Sequence, residues 1–263
     1  MAFWRRRSRN KDTLSFVCNI CGAQNQSAPE AIGREVITCT TCGSILRWRS
    51  IIAALSVSLY GRSIPLVEFP KNPEMKGLGM SDWDGYASRL ANVFDYTNTF
   101  YDVEPRFDVM APVSPESAGT YDFIISSDVL EHVAPPYEVA LTHLRQLLKP
   151  GGTLILSVPM KSEGATDEHF PDLHHYDIAT LGGDPVLVNR TKTGAIQVFE
   201  ELVFHGGAGA TLEMRVFSEP DVMESLRRVG FDKVERCEAA LPEHGIVWNM
   251  PSSWPIVAHA PLA

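Results

Sequence analysis

From Lys76 onward, short apolar runs alternate with stretches of helical spacing. Gly77-Leu-Gly-Met80, Tyr96–Tyr101, Tyr121–Ser126 and Thr153–Val158 read as strands. Trp83–Val93, Pro136–Leu148 and Glu219–Val229 read as helices, with Lys233–Cys237 and Trp254–Ala258 as closing strands. This alternation predicts an α/β fold, a doubly wound and mostly parallel sheet covered on both faces. Ligands then sit beyond the carboxyl ends of the strands. The regularity breaks between Pro159 and Ser218, where Pro185–Val188 and Ala195–Phe199 flank Lys192-Thr-Gly194 in the pattern of a hairpin. A β-rich insertion over about 160–217 is therefore expected to cap the crevice. Upstream, apolar positions from Ile45 to Leu59 predict a helix capped by Ser44 and stopped by Gly61. Pro65, Pro70 and Pro73 mark 61–75 as a linker. The expected parts are 1–60, the linker 61–75, and a main domain over 76–263.

Composition narrows the class. An apolar fraction of 44% permits a real core and excludes global disorder. No apolar run approaches the roughly 18 residues of a membrane helix. The start is basic but lacks a following apolar stretch, so it does not read as a secretory signal, and a cytoplasmic protein with reduced cysteines is expected. The net charge of −9 hides an asymmetry: residues 1–60 carry a net +5 and the remainder −14. An acidic body argues against nucleic acid as the main ligand, whereas the front (Arg5, Arg6, Arg7, Arg9, Lys11) keeps it open.

Four cysteines fall as Cys18-x2-Cys21 and Cys39-x2-Cys42 with 17 residues between the pairs, the spacing of a four-thiolate zinc site. Gly22 and Gly43 follow the pairs and let the backbone curl around the thiolates. So short a segment cannot bury enough apolar surface to fold alone, so the metal supplies its folding energy. Four thiolates leave no open position, so such a zinc is structural. Cys237 stands alone in the strand-like run Lys233–Cys237 and reads as core. Arg47 and Arg49 read as a solvated or salt-bridged pair.

The most informative stretch is 121–159, YDFIISSDVLEHVAPPYEVALTHLRQLLKPGGTLILSVP. A strand ends at Ser126-Ser127-Asp128, Val129-Leu-Glu-His-Val133 turns toward a helix opened by Pro135-Pro136, and Lys149-Pro-Gly-Gly152 turns into the next strand. This resembles the class I S-adenosylmethionine-dependent methyltransferases, whose fourth strand, "VLEHV" turn, helix, "LKPGG" turn and fifth strand occur in this order and spacing. CxxCG followed later by CxxCGSILRWR also looks like a group of these enzymes that carry an N-terminal zinc ribbon.

The resemblance implies S-adenosylmethionine as cofactor. The three spaced glycines of the family's first strand, which let the backbone approach the cofactor, fall on Gly77-Leu-Gly79-Met-Ser81-Asp82, which keeps two of them. Leu66-Val-Glu68-Phe is an alternative register without glycines. The ribose carboxylate falls on Asp102 or Glu104, and the acid after the third strand on Asp108, implied to receive the adenine amino group. Ser127 and Asp128 are implied to border the sulfonium, where a negative carboxylate suits a positive sulfur. For Glu131 and His132 three readings stand: shaping of the turn, His132 as general base, or an Asp128-x-x-Glu131-His132 divalent-ion cluster. The cap offers Asp167, Glu168, His169, His174, His175 and Tyr176, with His169 as an acceptor-positioning residue, and a second turn at His205-Gly-Gly207 and Gly209. The leading reading is methyl transfer to oxygen or nitrogen of a small-molecule or glycan-like acceptor. An RNA methyltransferase that grips RNA through the ribbon, and a non-catalytic scaffold, are the alternatives.

Overall fold

A computed structural model describes residues 13–205, 211–249 and 253–262. The basic residues Arg5, Arg6, Arg7, Arg9 and Lys11, and the cap glycines Gly207 and Gly209, lie outside the described residues. The chain begins with a hairpin, β1 (Leu14–Val17) and β2 (Gln24–Ser27), then α1 (Leu46–Tyr60). Next come β3 (Asn72–Met80), α2 (Asp84–Ala91), β4 (Phe94–Thr99), β5 (Tyr121–Ser127), α3 (Glu138–Leu147) and β6 (Leu148–Ser157). The insertion holds β7 (Met160–Lys161), β8 (Asp167–Glu168), β9 (His175–Leu181), β10 (Asp184–Arg190), β11 (Ile196–Phe199), β12 (Phe204–His205), β13 (Thr211–Leu212) and β14 (Arg215–Ser218). Then α4 (Glu219–Arg228), β15 (Lys233–Arg236) and β16 (Ile256–His259) follow. Among the described residues no helix is long and apolar enough to cross a membrane.

The central sheet runs β15-β16-β6-β5-β3-β4. Strands β4, β3, β5 and β6 are parallel, whereas β16 is antiparallel to β6 and β15 to β16. From β3 the chain crosses to β4 on one side and to β5 on the other. The tips of β3 and β5 therefore flank the topological switch point, where such sheets open a crevice. The strand implied before Asp108 does not form: only an isolated bridge, Phe100 to Arg106, marks 101–120. Its apolar residues Phe107 and Val109 are split by Asp108, and Pro112 and Pro115 beyond them lack the N–H a ladder requires.

Both faces of the sheet are buried, and side chains alternate between them along each strand. Leu78, Ile124, Leu154 and Leu156 pack under α3 and α4. Phe123, Ile125, Ile155 and Val257 pack under α1 and α2, in one cluster with Cys18, Ile20 and Cys39. The cysteine module therefore shares the core of the sheet. The expected linker also belongs to it: Leu66 and Phe69 are buried in that cluster, and β3 starts at Asn72. Prolines mark the bends there, but the apolar anchors between them hold the chain down. Ser44 does not cap α1 either, since Ile45 holds the cap position. The Ser44 hydroxyl instead lies 3.2 Å from Cys18 Sγ.

The expected hairpin forms as β10 and β11, with β9 as its third strand. Phe170, Leu187, Leu212 and Met214 give the insertion a small core of its own. Strand β14 bonds to β7 and β8 and ties it back to the end of β6.

Candidate active site

Two L-residues with left-handed backbone stand at the switch point: Ser81 (φ 56°) just beyond β3 and Asp128 (φ 53°) just beyond β5. Such values are uncommon outside glycine and gather at functional sites. Ser81 occupies the place of the third glycine and holds its backbone form; its N–H donates to Thr99 O at 2.7 Å. Gly77 and Gly79 serve a different end from the one expected. A Cβ on Gly77 would run into Phe123 and Tyr96, and one on Gly79 into the Tyr96 hydroxyl and the Asp82 carboxylate. Their bareness makes room for these side chains rather than for an open groove.

Asp82 is buried and accepts hydrogen bonds from the hydroxyls of Tyr86 (2.6 Å) and Tyr96. Burial pushes its pKa up to about 7, against the lowering effect of both tyrosines and of Arg47. In an unfolded chain the same carboxyl titrates near about 3.9. Between those values the native state keeps a proton that the unfolded state releases, so this group makes stability fall as pH rises through the window. Asp82→Asn, neutral at every pH, is expected to gain on the native protein by roughly 1 kcal/mol per pH unit from pH 4 to 7. Urea unfolding of both proteins across that range checks this, and parallel pH profiles would contradict it.

The tip of β5 is occupied from the N-terminal module. Arg34 Nη2 and Nη1 meet Asp128 Oδ1 and Oδ2 at 2.7 and 3.0 Å. Arg47 Nε lies 3.2 Å from Asp128 Oδ2, and its Nη1 donates to Ser127 Oγ at 2.7 Å. Glu35 accepts from Arg47 Nε and Nη2 at 2.8 and 2.9 Å. Trp48, next along α1, stacks on Trp83 with centroids 4.1 Å apart. Asp128 therefore does not stand free before a sulfonium, because two guanidinium groups already match its charge. It also drops out of the Asp128-x-x-Glu131-His132 ion cluster, with both oxygens engaged. The salt-bridged reading holds for Arg47; Arg49 is instead fully buried and donates to the carbonyls of Ser44 and Gly245.

Across the crevice the rim is clear. Ser81, Asp102 and Glu104 are exposed. Glu104 accepts from the backbone N–H of Arg106 at 2.9 Å, whereas Asp102 makes no side-chain hydrogen bond among the described residues. Asp108 is half-buried and closes its own turn by accepting from Met110 N at 2.9 Å.

Behind the tip of β5 the chain turns through Leu130–His132, where the insertion meets it. His132 Nδ1–H donates to Leu212 O at 2.8 Å, so the lone pair of the neutral ring lies on Nε2. That Nε2 lies 3.2 Å from His205 Nδ1, and His205 Nε2 lies 2.9 Å from Glu213 Oε2. His169 Nε2 meets the other oxygen of Glu213 at 2.9 Å. Burial holds the His132 pKa below its ordinary value, and Glu131, buried beside Asp128, sits well above the usual carboxylate range. His169 thus reaches the cluster through Glu213. Asp167 and Glu168 do not point to it: they pair with Lys161 and Arg215. His174, His175 and Tyr176 line a separate cavity of about 480 Å³ on the outer sheet of the cap.

The four cysteine sulfurs lie within 4.8 Å of one another. Gly22 and Gly43, both with positive φ, close the two knuckles by donating to Cys18 O and Cys39 O. Asn25 Nδ2 donates to Cys39 Sγ at 3.4 Å. Arg49, buried against carbonyl and hydroxyl acceptors and the Phe16 ring, supplies a positive charge beside them. A dication held by four thiolates carries a net charge of −2, which such an arginine offsets.

Sequence reasoning missed Arg34, Glu35, Glu213 and Arg215, and gave His205 only a place in a second turn of the cap. Arg34 and Asp128 are 94 positions apart, and no local spacing announces such a pair.

No curated protein matches the chain. Among solved structures the chain resembles 1,6-didemethyltoxoflavin-N1-methyltransferase of Burkholderia thailandensis at 15% identity and a TM-score of 0.43, covering 81% of this chain and 78% of that one. It resembles the sugar N-methyltransferase KedS8 of Streptoalloteichus sp ATCC 53650 at 12% identity and a TM-score of 0.46, covering 84% and 89%. It also resembles the citrinin polyketide synthase CMeT domain at 14% identity and a TM-score of 0.44, covering 75% of this chain and 50% of that one. The family described as "Methyltransferase domain" matches residues 64–198, just over half of the sequence, through β3 to β6 and the tips described above. The chain belongs to this family, the class I S-adenosylmethionine-dependent methyltransferases.

Proposed function

We propose that the protein moves the methyl group of S-adenosylmethionine to an oxygen or nitrogen of a small-molecule or glycan-like acceptor held under the 160–217 cap. The observation that carries this reading is the pair of left-handed residues, Ser81 and Asp128, at neighbouring strand tips across the switch point. The cofactor supplies an already activated methyl group. What the chain must add is placement and exclusion of water. The residues present fit that task. The exposed rim at Ser81, Asp102 and Glu104 is free to take the ribose, with Asp108 beyond it toward the adenine. Arg34 and Arg47 offer guanidinium N–H groups to the cofactor's carboxylate, which would share them with Asp128. Ser127 and Asp128 border the methyl end. The four cysteines hold a structural zinc ion that fixes Arg34 and Arg47 in position.

The acidic body and the engagement of Arg34, Arg47 and Glu35 with one another and with Asp128 favour a small acceptor over RNA. Two measurements test the proposal. S-adenosylmethionine at 100 times its dissociation constant should stabilise the protein by about 2.7 kcal/mol in a thermal melt. No shift at millimolar cofactor would mark a non-catalytic scaffold. With methyl-labelled cofactor and a cell extract, label should pass to small-molecule or glycan fractions. Label confined to RNA would overturn the acceptor class.

A further inference from the structure

The turn after β5 and the insertion bring together three groups with the geometry of cation ligands. A carboxylate oxygen of Glu131 and one ring nitrogen each of His132 and His205 lie within 4.8 Å of one another. Glu131 is fully buried, and neither of its oxygens has a hydrogen-bond partner among the described residues. An unsatisfied buried carboxyl is costly, so the group at the centre of the cluster lacks something to bind.

The histidines are oriented as metal ligands are, each with its outward nitrogen held by an acceptor. His132 Nδ1–H donates to Leu212 O at 2.8 Å, and His205 Nε2 lies 2.9 Å from the Glu213 carboxylate. With those protons in place, the bare nitrogens His132 Nε2 and His205 Nδ1 face each other at 3.2 Å. Two lone pairs at that distance repel unless a cation lies between them. Two imidazole nitrogens at about 2.1 Å from one ion at a tetrahedral angle stand roughly 3.4 Å apart, close to the observed spacing. Glu131 Oε1 lies 3.9 Å from His132 Nε2, too far for a hydrogen bond and within reach of the same ion.

We propose that Glu131, His132 and His205 form a second metal site, which takes one first-row divalent cation, with Glu213 and His169 fixing the orientation of His205. Two imidazoles and one carboxylate are a donor set for Mn²⁺, Fe²⁺, Co²⁺ or Zn²⁺. Three protein ligands leave positions open, unlike the closed four-thiolate site. His205 is the most exposed member, with a side-chain accessibility of 41%, so solvent or an acceptor reaches the open positions from its side. The ion would hold an acceptor oxygen there, and the His132 lone pair serves as ligand instead of as general base.

The test reads metal binding alone and so does not depend on methyl transfer. Mn²⁺ is titrated into zinc-loaded protein, and free Mn²⁺ is followed by electron paramagnetic resonance. One Mn²⁺ per chain is expected beyond the cysteine-bound zinc. His205→Ala and Glu131→Gln should each weaken binding at least about tenfold, and His174→Ala should leave it unchanged. Circular dichroism melts confirm that each variant is folded. No binding at millimolar Mn²⁺, or binding by folded His205→Ala equal to that of the native protein, would overturn the site.

Discussion

Cys39→Ser is expected to unfold far more than the N-terminal hairpin. Cys18 and Cys39 are fully buried in one cluster with Ile51, Leu55, Phe123, Ile125 and Ile155. Loss of one thiolate turns a closed site into an open, weak one. The apparent binding energy of a structural zinc ion is about 10–16 kcal/mol, comparable with the whole stability of a typical domain at about 5–15 kcal/mol. Without the ion, the Cys18 thiol and Arg49 remain buried, and Arg49 has no negative charge to offset it. The knuckles then open, α1 loses its seat, and one face of the sheet is uncovered. The expected result is loss of one zinc equivalent by elemental analysis together with loss of cooperative melting of the whole protein. Arg34 and Arg47 should leave Asp128 in the same event, so cofactor binding should vanish with the zinc. A zinc-free Cys39→Ser protein that melts like the native one would refute both the metal and the shared core.

Motifs within about 40 residues were legible because they rest on local chemistry. The strand ending at Ser127-Asp128, the Pro-opened helix and the Lys149-Pro-Gly-Gly152 turn each follow from periodicity and turn residues. The crevice at the strand tips follows from strand and helix alternation alone. What fills the crevice does not. Arg34 and Arg47 come from a module that composition set apart by a prolined stretch, yet burial of Leu66 and Phe69 folds that module onto the sheet. The glycine pair was read as backbone clearance for a ligand, and the structure spends that clearance on Tyr96. His205 and Glu213 reach His132 only because β12 and β13 fold back on the turn, a pairing across 73 and more positions. Side-chain partners at such separation depend on how two surfaces meet, which neither propensity nor spacing encodes.

The contact between the two surfaces is held by Arg215, and its removal is expected to be the costliest single change in the cap. Arg215 is fully buried on β14. Its Nη1 donates to Leu130 O at 2.8 Å and Val133 O at 2.6 Å, the two ends of the turn that carries Glu131 and His132. Its Nε pairs with Glu168 at 2.6 Å, and its guanidinium lies 5.2 and 5.6 Å from the ring centres of Tyr137 and Phe217. Arg215→Ala leaves two buried carbonyls without donors and a cavity between β14 and the turn. Breaking a buried ion pair costs about 3–5 kcal/mol; Glu168 is partly exposed and can hydrate once freed, so the lower end, about 3 kcal/mol, is expected. Glu168→Gln keeps the arginine on both carbonyls and leaves a neutral acceptor for Nε, but it strips the buried charge of its carboxylate, so it should cost less than Arg215→Ala, about 1–2 kcal/mol. Denaturant unfolding of the two variants separates these values, and equal losses would place the energy in the Glu168 pair instead of in the two carbonyl bonds. The same variant should loosen His132, because Leu130 and Val133 bracket it and Leu212 O, its anchor, lies on the segment that Arg215 holds in place.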